Sequence, residues 1–423
     1  LEQTRVYSKG EWRVGAGGLE ALRFWLGTSR YAHNEVLDDG GVDIVGTRFT
    51  NREREARLEA QHMPVRTALG ELRGAVGLHW HAKTTAGFGV DEPVDGILDP
   101  AARQRMLGAF IFEELQVTNR LRFQGAARLE GTRSNGTAVD DPANPPDRFE
   151  RSFRARSGSV GLLYDLPFGV VARLTGQITE RAPDIAELYS KGVHEATETF
   201  ELGNPNLRTE RARTLELGFK KATGPFRFDA SVFRTSYQGF IFKNYTGVQC
   251  GDTLASCGVD PELDQIVYAQ RDATFTGAEL SAQLDVAPLW RGVWGIDGQY
   301  DIVRATFADG TNVPRITPQR LGAGVYYRDA NWYARVGVLH AFDQKRVSII
   351  DVKDTPTDGY TLLNANLAYT FKLPSTVAAT QMTIGLKGEN LLNEEVRNHL
   401  SYKKDEVLQP GRTIKLYGTI RLN

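Results

Sequence analysis

Along most of this chain apolar and polar residues alternate one for one, over segments of about ten residues or more. Trp294, Ile296, Tyr300 and Ile302 fall on one face of such a segment, and Gly295, Asp297, Gln299 and Asp301 on the other. Leu215, Leu217 and Phe219 oppose Glu216, Gly218 and Lys220. Leu363, Ala365, Leu367, Tyr369 and Phe371 oppose Asn364, Asn366, Ala368 and Thr370. The last segment sets Ile414, Leu416, Gly418, Ile420 and Leu422 against Thr413, Lys415, Tyr417, Thr419 and Arg421. A period of two means β-strands with two unlike faces.

The links between these segments take turns in length. Short ones fall near Gly15–Gly18, Met63–Thr67, Thr118–Leu121, Asp165–Gly169, Ala222–Pro225, Ala287–Gly292, Arg328–Asn331 and Leu373–Thr380. Long ones fall near 34–45, 87–102, 133–148, 181–209, 244–265, 307–318, 347–360 and 393–411. About seventeen strands result, joined turn–loop–turn–loop, which predicts an antiparallel up-and-down barrel rather than a Greek-key sandwich. The fold class expected is all-β, a transmembrane barrel occupying residues 1–423 as one domain.

The physical reason is backbone satisfaction. Hydrocarbon offers no partner to N–H or C=O, so a sheet in lipid has to close on itself. Its outer face is apolar, and its inner face can carry charge. Asp297, Asp301, Lys387, Lys415 and Arg421 are then expected to line a wet lumen or touch a plug. Tyr326, Tyr327, Tyr369 and Phe371 near strand ends fit an interfacial girdle or simply strand propensity. If the C-terminal strand ends in the periplasm, the long loops are extracellular. Single-chain bacterial barrels have even strand numbers, so an odd count implies that strands N-terminal to this chain are missing or supplied separately.

Composition changes this picture little. The 423 residues carry a net charge of −1, which gives no argument for nucleic acid. No apolar run is long enough for a transmembrane helix, and Leu1-Glu2-Gln3-Thr4-Arg5 does not read as a signal peptide. The two cysteines, Cys250 and Cys257, share one predicted extracellular loop. Their spacing suits a local disulfide in an oxidising compartment, with two free thiols or a weak metal pair as the alternative.

Two stretches carry a resemblance. One runs Arg181-Ala182-Pro183, Glu187-Leu188-Tyr189, Gly192-Val193-His194-Glu195-Ala196-Thr197, Phe200-Glu201-Leu202-Gly203-Asn204-Pro205-Asn206-Leu207 and Glu210. The other runs Gly388-Glu389-Asn390-Leu391-Leu392-Asn393, Arg397, His399, Ser401 and Pro410-Gly411-Arg412. Together they resemble the C-terminal barrel portion of TonB-dependent outer-membrane receptors, on the branch that includes zinc receptors. Tyr268 to Ala273 and Gly277-Ala278-Glu279-Leu280 fit that branch too. The resemblance implies a barrel of about 22 strands in a Gram-negative-type outer membrane. It also implies an N-terminal plug that contacts the TonB complex, with the plug and first strands absent from this chain. The chain ends Arg421-Leu422-Asn423 rather than on the aromatic residue usual for the family. Residue by residue, most of these motif positions also read as turn formers: Asn390, Asn393, Asn204-Pro205 and Pro410-Gly411.

Metal chemistry is the sharper question. His79 and His81 lie two apart on one strand, so both rings share a face, and Asp91 and Glu92 follow in the next long loop. His194 and Glu195 lie in another loop, and His33, Asp38 and Asp39 in a third. Imidazole and carboxylate can hold zinc, so these groups are candidates for a transported-metal site. Each His is otherwise an ordinary hydrogen-bonded residue. No loop is rich in histidine, which leaves a ferric siderophore, haem or another chelate as cargo beside zinc. No resident cofactor is required. His194-Glu195-Ala196-Thr197-Glu198 lacks the second His of a zincin, and there is no Gly-x-Ser-x-Gly elbow, P-loop or dinucleotide fingerprint. The expected function is therefore high-affinity uptake rather than catalysis. A passive pore or surface-binding barrel is the alternative.

Overall fold

A computed structural model describes residues 1–39, 41–90, 95–140, 145–373 and 380–421. The strands are β1 (Glu2–Ala16), β2 (Leu19–Asp39), β3 (Val42–His62), β4 (Val65–Thr67), β5 (Gly70–Gly89), β6 (Leu98–Gln116), β7 (Leu121–Ala138), β8 (Asp147–Leu166), β9 (Val170–Arg181), β10 (Lys191–His194), β11 (Thr199–Leu202), β12 (Glu210–Lys221), β13 (Phe226–Cys250), β14 (Leu263–Leu289), β15 (Gly292–Phe307), β16 (Arg320–Arg328), β17 (Trp332–Ala341), β18 (Tyr360–Leu373), β19 (Thr380–Glu389) and β20 (Thr413–Arg421). A short helix, α1 (Ile185–Tyr189), follows β9. No helix among the described residues is long and apolar enough to cross a membrane.

Strands β4, β10 and β11 are short, and the other seventeen form one antiparallel meander. Each pairs with the next along the chain, from β1–β2 through β9–β12 to β19–β20. Among the described residues, β1 and β20 are each paired on one side only. Short and long links alternate as the sequence pattern predicts, apart from the β18–β19 link, which lies outside the described residues. Several long links are shorter than expected because their strands continue. The link expected at 34–45 is a hairpin between β2 and β3, and β13 and β14 run to Cys250 and from Leu263. Crossing lipid takes only about 9–11 residues per strand. Pairing beyond the lipid keeps backbone groups satisfied where a loose loop would leave them to water.

The two faces separate cleanly. Leu162, Leu174, Leu217, Val232, Ala278 and Ile302 are lateral neighbours in one outward row across β8, β9 and β12 to β15. The inner face carries ion pairs: Asp297 with Arg335 at 2.6 Å, Asp301 with Arg320 at 3.0 Å, and Lys387 and Lys415 with Glu389. At the short-turn end Trp332 meets Tyr369 edge-on, and Trp290 meets Tyr327. Tyr326 departs from the expected girdle. It is 2% exposed and donates to Asp285 at 2.5 Å, because neighbouring residues on a strand must face opposite ways and Tyr327 takes the outer side.

Candidate functional site: a lid across the loop end of the barrel

The segment between β9 and β12 does not stand away from the barrel. It turns inward, and local sequence explains how. Asp184 and Glu187 form a capping box that starts α1: Asp184 accepts from the Ala186 N–H at 3.1 Å, and Glu187 accepts from the Asp184 N–H at 2.7 Å. Arg181 holds the same Glu187 at 2.8 Å and Glu210 at 3.0 Å, so both ends of the segment are tied to one guanidinium. Lys83 of β5 pairs with Asp184. Leu188 and Tyr189 are then buried against Ala102, Ala138 and Phe153 of the wall. The wall makes room at Gly136, where a Cβ would lie 2.6 Å from the Tyr189 ring.

After α1 the chain forms the β10–β11 hairpin. On one side Lys191 and Val193 donate to the carbonyls of Ile97 and Asp95, in the β5–β6 link. On the other side β11 pairs with β14, in parallel, from Thr199↔Asp264 to Leu202↔Val267. Strands β6, β7, β8, β9, β12 and β13 separate those two attachments in the wall, so the hairpin bridges the loop end of the lumen. Its apolar side packs Val193, Phe200 and Leu202 on Cys250, with Cys257, Leu263 and Val267 alongside. Cys250 and Cys257 are joined by a disulfide.

The hairpin's other groups make an ionic hub. His194 Nδ1 lies 2.7 Å from Glu201, and its Nε2 lies 3.4 Å from Glu35 of β2. Glu201 also pairs with Lys243 and accepts from the Tyr268 hydroxyl at 2.9 Å. Burial opposes the charge on His194, but Glu201 and Glu35 outweigh it and raise the ring to about 9. Burial likewise pushes the Glu201 carboxyl up, yet His194 and Lys243 bring it down to about 2. Both groups are therefore charged at neutral pH. Glu195 differs: burial, with Asp252 and Glu35 nearby, lifts it to about 7. At the hairpin tip Glu198, in the left-handed region, pairs with Lys403 at 2.7 Å and Lys353 at 3.2 Å. Lys353 lies in the β17–β18 link and Lys403 in the β19–β20 link, so loops late in the chain clamp the lid.

Within these loops two cations flank one aromatic ring. Lys243 sits 4.9 Å from the Tyr402 ring centre, and Arg315 lies 3.6 Å from it on stacking geometry. Asp351 fixes Arg315 at 2.9 Å. His399 is buried, bonded to Thr357 at 3.0 Å and 3.2 Å from Asp354.

The described sequence-predicted metal candidates fall into two places, His79 with His81 and His33 with His194 beside Glu35. His79 and His81 both face the lumen, with Leu78 and Trp80 outside. His79 lies 2.8 Å from Glu55 and 3.3 Å from Arg128, and His81 lies 3.7 Å from Glu53. His194 lies tilted against Phe49 of β3, which is about 20 Å further toward the loops than Glu55 at the usual strand rise. The two groups thus do not converge. Asp91 and Glu92 lie outside the described residues, as do the side chains of Asp38 and Asp39. His33 stacks on Phe49 and lies 3.8 Å from Glu35. No group of three or more His, Cys, Asp or Glu able to hold a metal occurs among the described residues. Glu35, Lys243, Arg315 and Tyr402 were not singled out by pattern. Their partners are far away in sequence, and each alone reads as an ordinary strand or loop residue. In the closing motif, Asn390 and Asn393 adopt left-handed conformations and hold the turn: Asn390 accepts from the Glu394 N–H at 2.8 Å, and Asn393 from the Arg412 N–H at 3.0 Å.

Residues 6–391 match the family described as TonB dependent receptor-like, β-barrel. The chain belongs to that family. It is a family of outer-membrane receptors and transporters. Solved receptor structures share the fold. The copper transporter OprC is 18% identical, with a TM-score of 0.74, covering 100% of this chain and 64% of its own. The unliganded ferric citrate transporter FecA is 15% identical at a TM-score of 0.68, covering 98% and 61%. The ferric-catecholate import receptor Fiu from E. coli K12 is 15% identical at 0.65, covering 98% and 63%. This receptor barrel thus spans less than two thirds of the length of those structures.

Proposed function

We propose that this barrel is the wall and extracellular gate of an uptake receptor for a metal chelate, such as a ferric siderophore or haem. The observation that carries the reading is the lid. A buried, charge-balanced hairpin closes over the lumen and is tied to strand β2 near one end of the chain through Glu35 and to two late loops through Glu198. A gate of this kind can bind cargo outside and needs an energy input to let it through. In the whole protein a plug contacting TonB would supply that input, and further strands would cover the β1 and β20 edges, which lipid does not tolerate unpaired.

The character of the mouth favours a chelate over a free cation. His194 is protonated and engaged at both nitrogens, so its lone pair is not free for a metal. Lys243 and Arg315 flank Tyr402, each already paired with a carboxylate, Glu201 and Asp351. Two of the fold neighbours are named for ferric chelates and one for copper. A second reading keeps a divalent metal as cargo, with His79 and His81 lining its path, because both rings face the lumen.

Binding by the full-length protein in detergent separates the two. Ferric citrate, a ferric catecholate and haem are titrated beside zinc and copper, on wild type and on the H79A/H81A double variant. The expected result is micromolar or tighter binding of a ferric chelate, with about the same affinity in the variant. Tight zinc or copper binding that the variant abolishes would overturn the chelate reading.

A further inference from the structure

Cargo uptake leaves one buried cluster without a task. Three late links meet in it. The β15–β16 link brings Arg315, the β17–β18 link brings Ser348, Asp354 and Thr357, and the β19–β20 link brings His399 and Lys404. The side chains of Lys404 and Asp354 are both 0% exposed. Lys404 Nζ lies 3.3 Å from Asp354 Oδ1, longer than the about 2.7–2.9 Å of a charge-assisted bond.

An ammonium is poorly served in this place. It has three N–H donors. Among the described residues two acceptors reach it, Asp354 Oδ1 and the Thr355 carbonyl at 2.6 Å. A buried donor without an acceptor is costly. Burial also holds the Lys404 amine below its ordinary value, against the pull of Asp354. An amide nitrogen at the same point has a single N–H, which the Thr355 carbonyl alone satisfies.

The carboxyl is arranged for attack. Asp354 Oδ2 accepts from the Ser348 N–H at 2.7 Å and from the Arg315 N–H at 3.4 Å. Two backbone donors on one oxygen are what a developing oxyanion needs. Beside the other oxygen, Oδ1, stands His399 Nε2 at 3.2 Å, a buried nitrogen with no hydrogen bond among the described residues. Thr357 fixes that ring at Nδ1, 3.0 Å away. Burial opposes the charge on Asp354, but His399, the Ser348 N–H and Lys404 hold its carboxyl below the ordinary range. The protons the departing oxygen needs therefore come from the amine, and an imidazole so placed can carry them. Two groups fixed this close react as if at very high concentration. Full burial favours losing both charges.

We propose that Lys404 and Asp354 are joined by an isopeptide bond. Nζ bonds to Cγ, the Cγ–Oδ1 bond breaks, and Oδ1 leaves as water with two of the three ammonium protons. Nothing is oxidised or reduced. The bond ties the β17–β18 link to the β19–β20 link. Next to the joined residues stand Lys353 and Lys403, the two lysines that hold Glu198 at the lid tip. The bridge thus fixes the spacing of the clamp, whatever the cargo.

Full-length receptor extracted from outer membranes is denatured, digested with trypsin and read by tandem mass spectrometry. The expected product joins peptide 354–372 to peptide 404–412, one water lighter than their sum, with no cleavage after Lys404. K404R and D354A are expected to lack it, and H399A to form at least about tenfold less in the same time. The wild-type digest decides without any variant. Unlinked 354–372 with cleavage after Lys404 throughout the wild-type sample would overturn the proposal and leave an ordinary buried ion pair. A linked product of the same mass loss in K404R would overturn it too.

Discussion

His194 Nδ1 lies 2.7 Å from Oε1 of Glu201, whose carboxylate is only 1% exposed and is reached from its other side by Lys243. A cation and an anion that keep their charges in a buried place do so only because each compensates the other. The hairpin that bridges the lumen therefore depends on proton occupancy at this pair.

His194 is raised to about 9, so its contribution to holding the lid is complete below about 6.5 and is lost as pH rises through about 9. Glu201 is lowered to about 2, so its contribution is present above about 4.5 and is lost only in strong acid. The two shifts describe one interaction of about 2–3 kcal/mol and are not summed. Hydrogen exchange of residues 191–202 should quicken between pH 7.5 and 9.5 by about tenfold or more beyond the intrinsic rate. Flat protection across that range would show that the pair does not hold the hairpin.

Glu195 has the opposite sense. Its carboxyl is raised to about 7, so the fold is favoured while it is protonated and loses that advantage as pH rises through about 7. Glu195→Gln should tighten the lid at pH 8 by about 1–2 kcal/mol and leave it unchanged at pH 5. The comparison is made by exchange protection of the hairpin at the two pH values.

Glu201→Gln removes the anion from between two cations. Leaving His194 and Lys243 buried without it should cost about 3–5 kcal/mol locally. The barrel strands should stay protected while the hairpin opens, and the Glu201→Leu/Lys243→Met pair should recover most of the loss. Equal protection in the single variant and wild type would contradict the hub.

Reduction of Cys250–Cys257 opens a small loop that packs on Val193 and Phe200. Loop-closure entropy for this spacing is worth about 2–3 kcal/mol. Thiol-reducing conditions should raise exchange at 250–263 and, through the shared packing, at 191–202. Strands β16 to β19 should not respond.

Gly192 lies where a Cβ would come within 2.1 Å of the Asp95 carbonyl oxygen. Gly192→Val cannot be accommodated by a side-chain shift, because the obstacle is backbone. The β10 attachment should break, at a cost of about 2–4 kcal/mol, and trypsin should cut after Lys191 faster than in wild type.

The wall was legible in sequence because a strand between lipid and lumen writes its two faces into consecutive residues. Leu215 and Leu217 against Glu216 need no partner to be recognised. The order of short and long links was legible for the same reason, since Ala222–Pro225 and Arg328–Asn331 carry their own turn chemistry. The lid was not. Residues 181–209 read as a loop, because β10 and β11 are four residues each and acquire their pairing from Asp95, Ile97 and β14. Its polar groups were only half visible. His194 and Glu195 stood out as possible ligands, but Glu35 and Lys243 gain their meaning from a partner that no local pattern indicates. Tyr326 was misread for a simpler reason: aromatic character says nothing about which face a residue takes, and its neighbour Tyr327 had already taken the outer one.

Strands β13 and β14, paired from Phe226–Leu284 up to Cys250–Leu263, extend past the apolar rows as a ladder with two register shifts, at Tyr237/Phe240 and Tyr245/Gln249. With that end outside the cell, the surface there is a paired ridge rather than a loose loop. A phage tail fibre or an antibody meeting this receptor would find that contour already formed, and would pay no ordering entropy to seize it. Escape from such a binder is then expected through changes of side chain along the ridge rather than through loops that move aside.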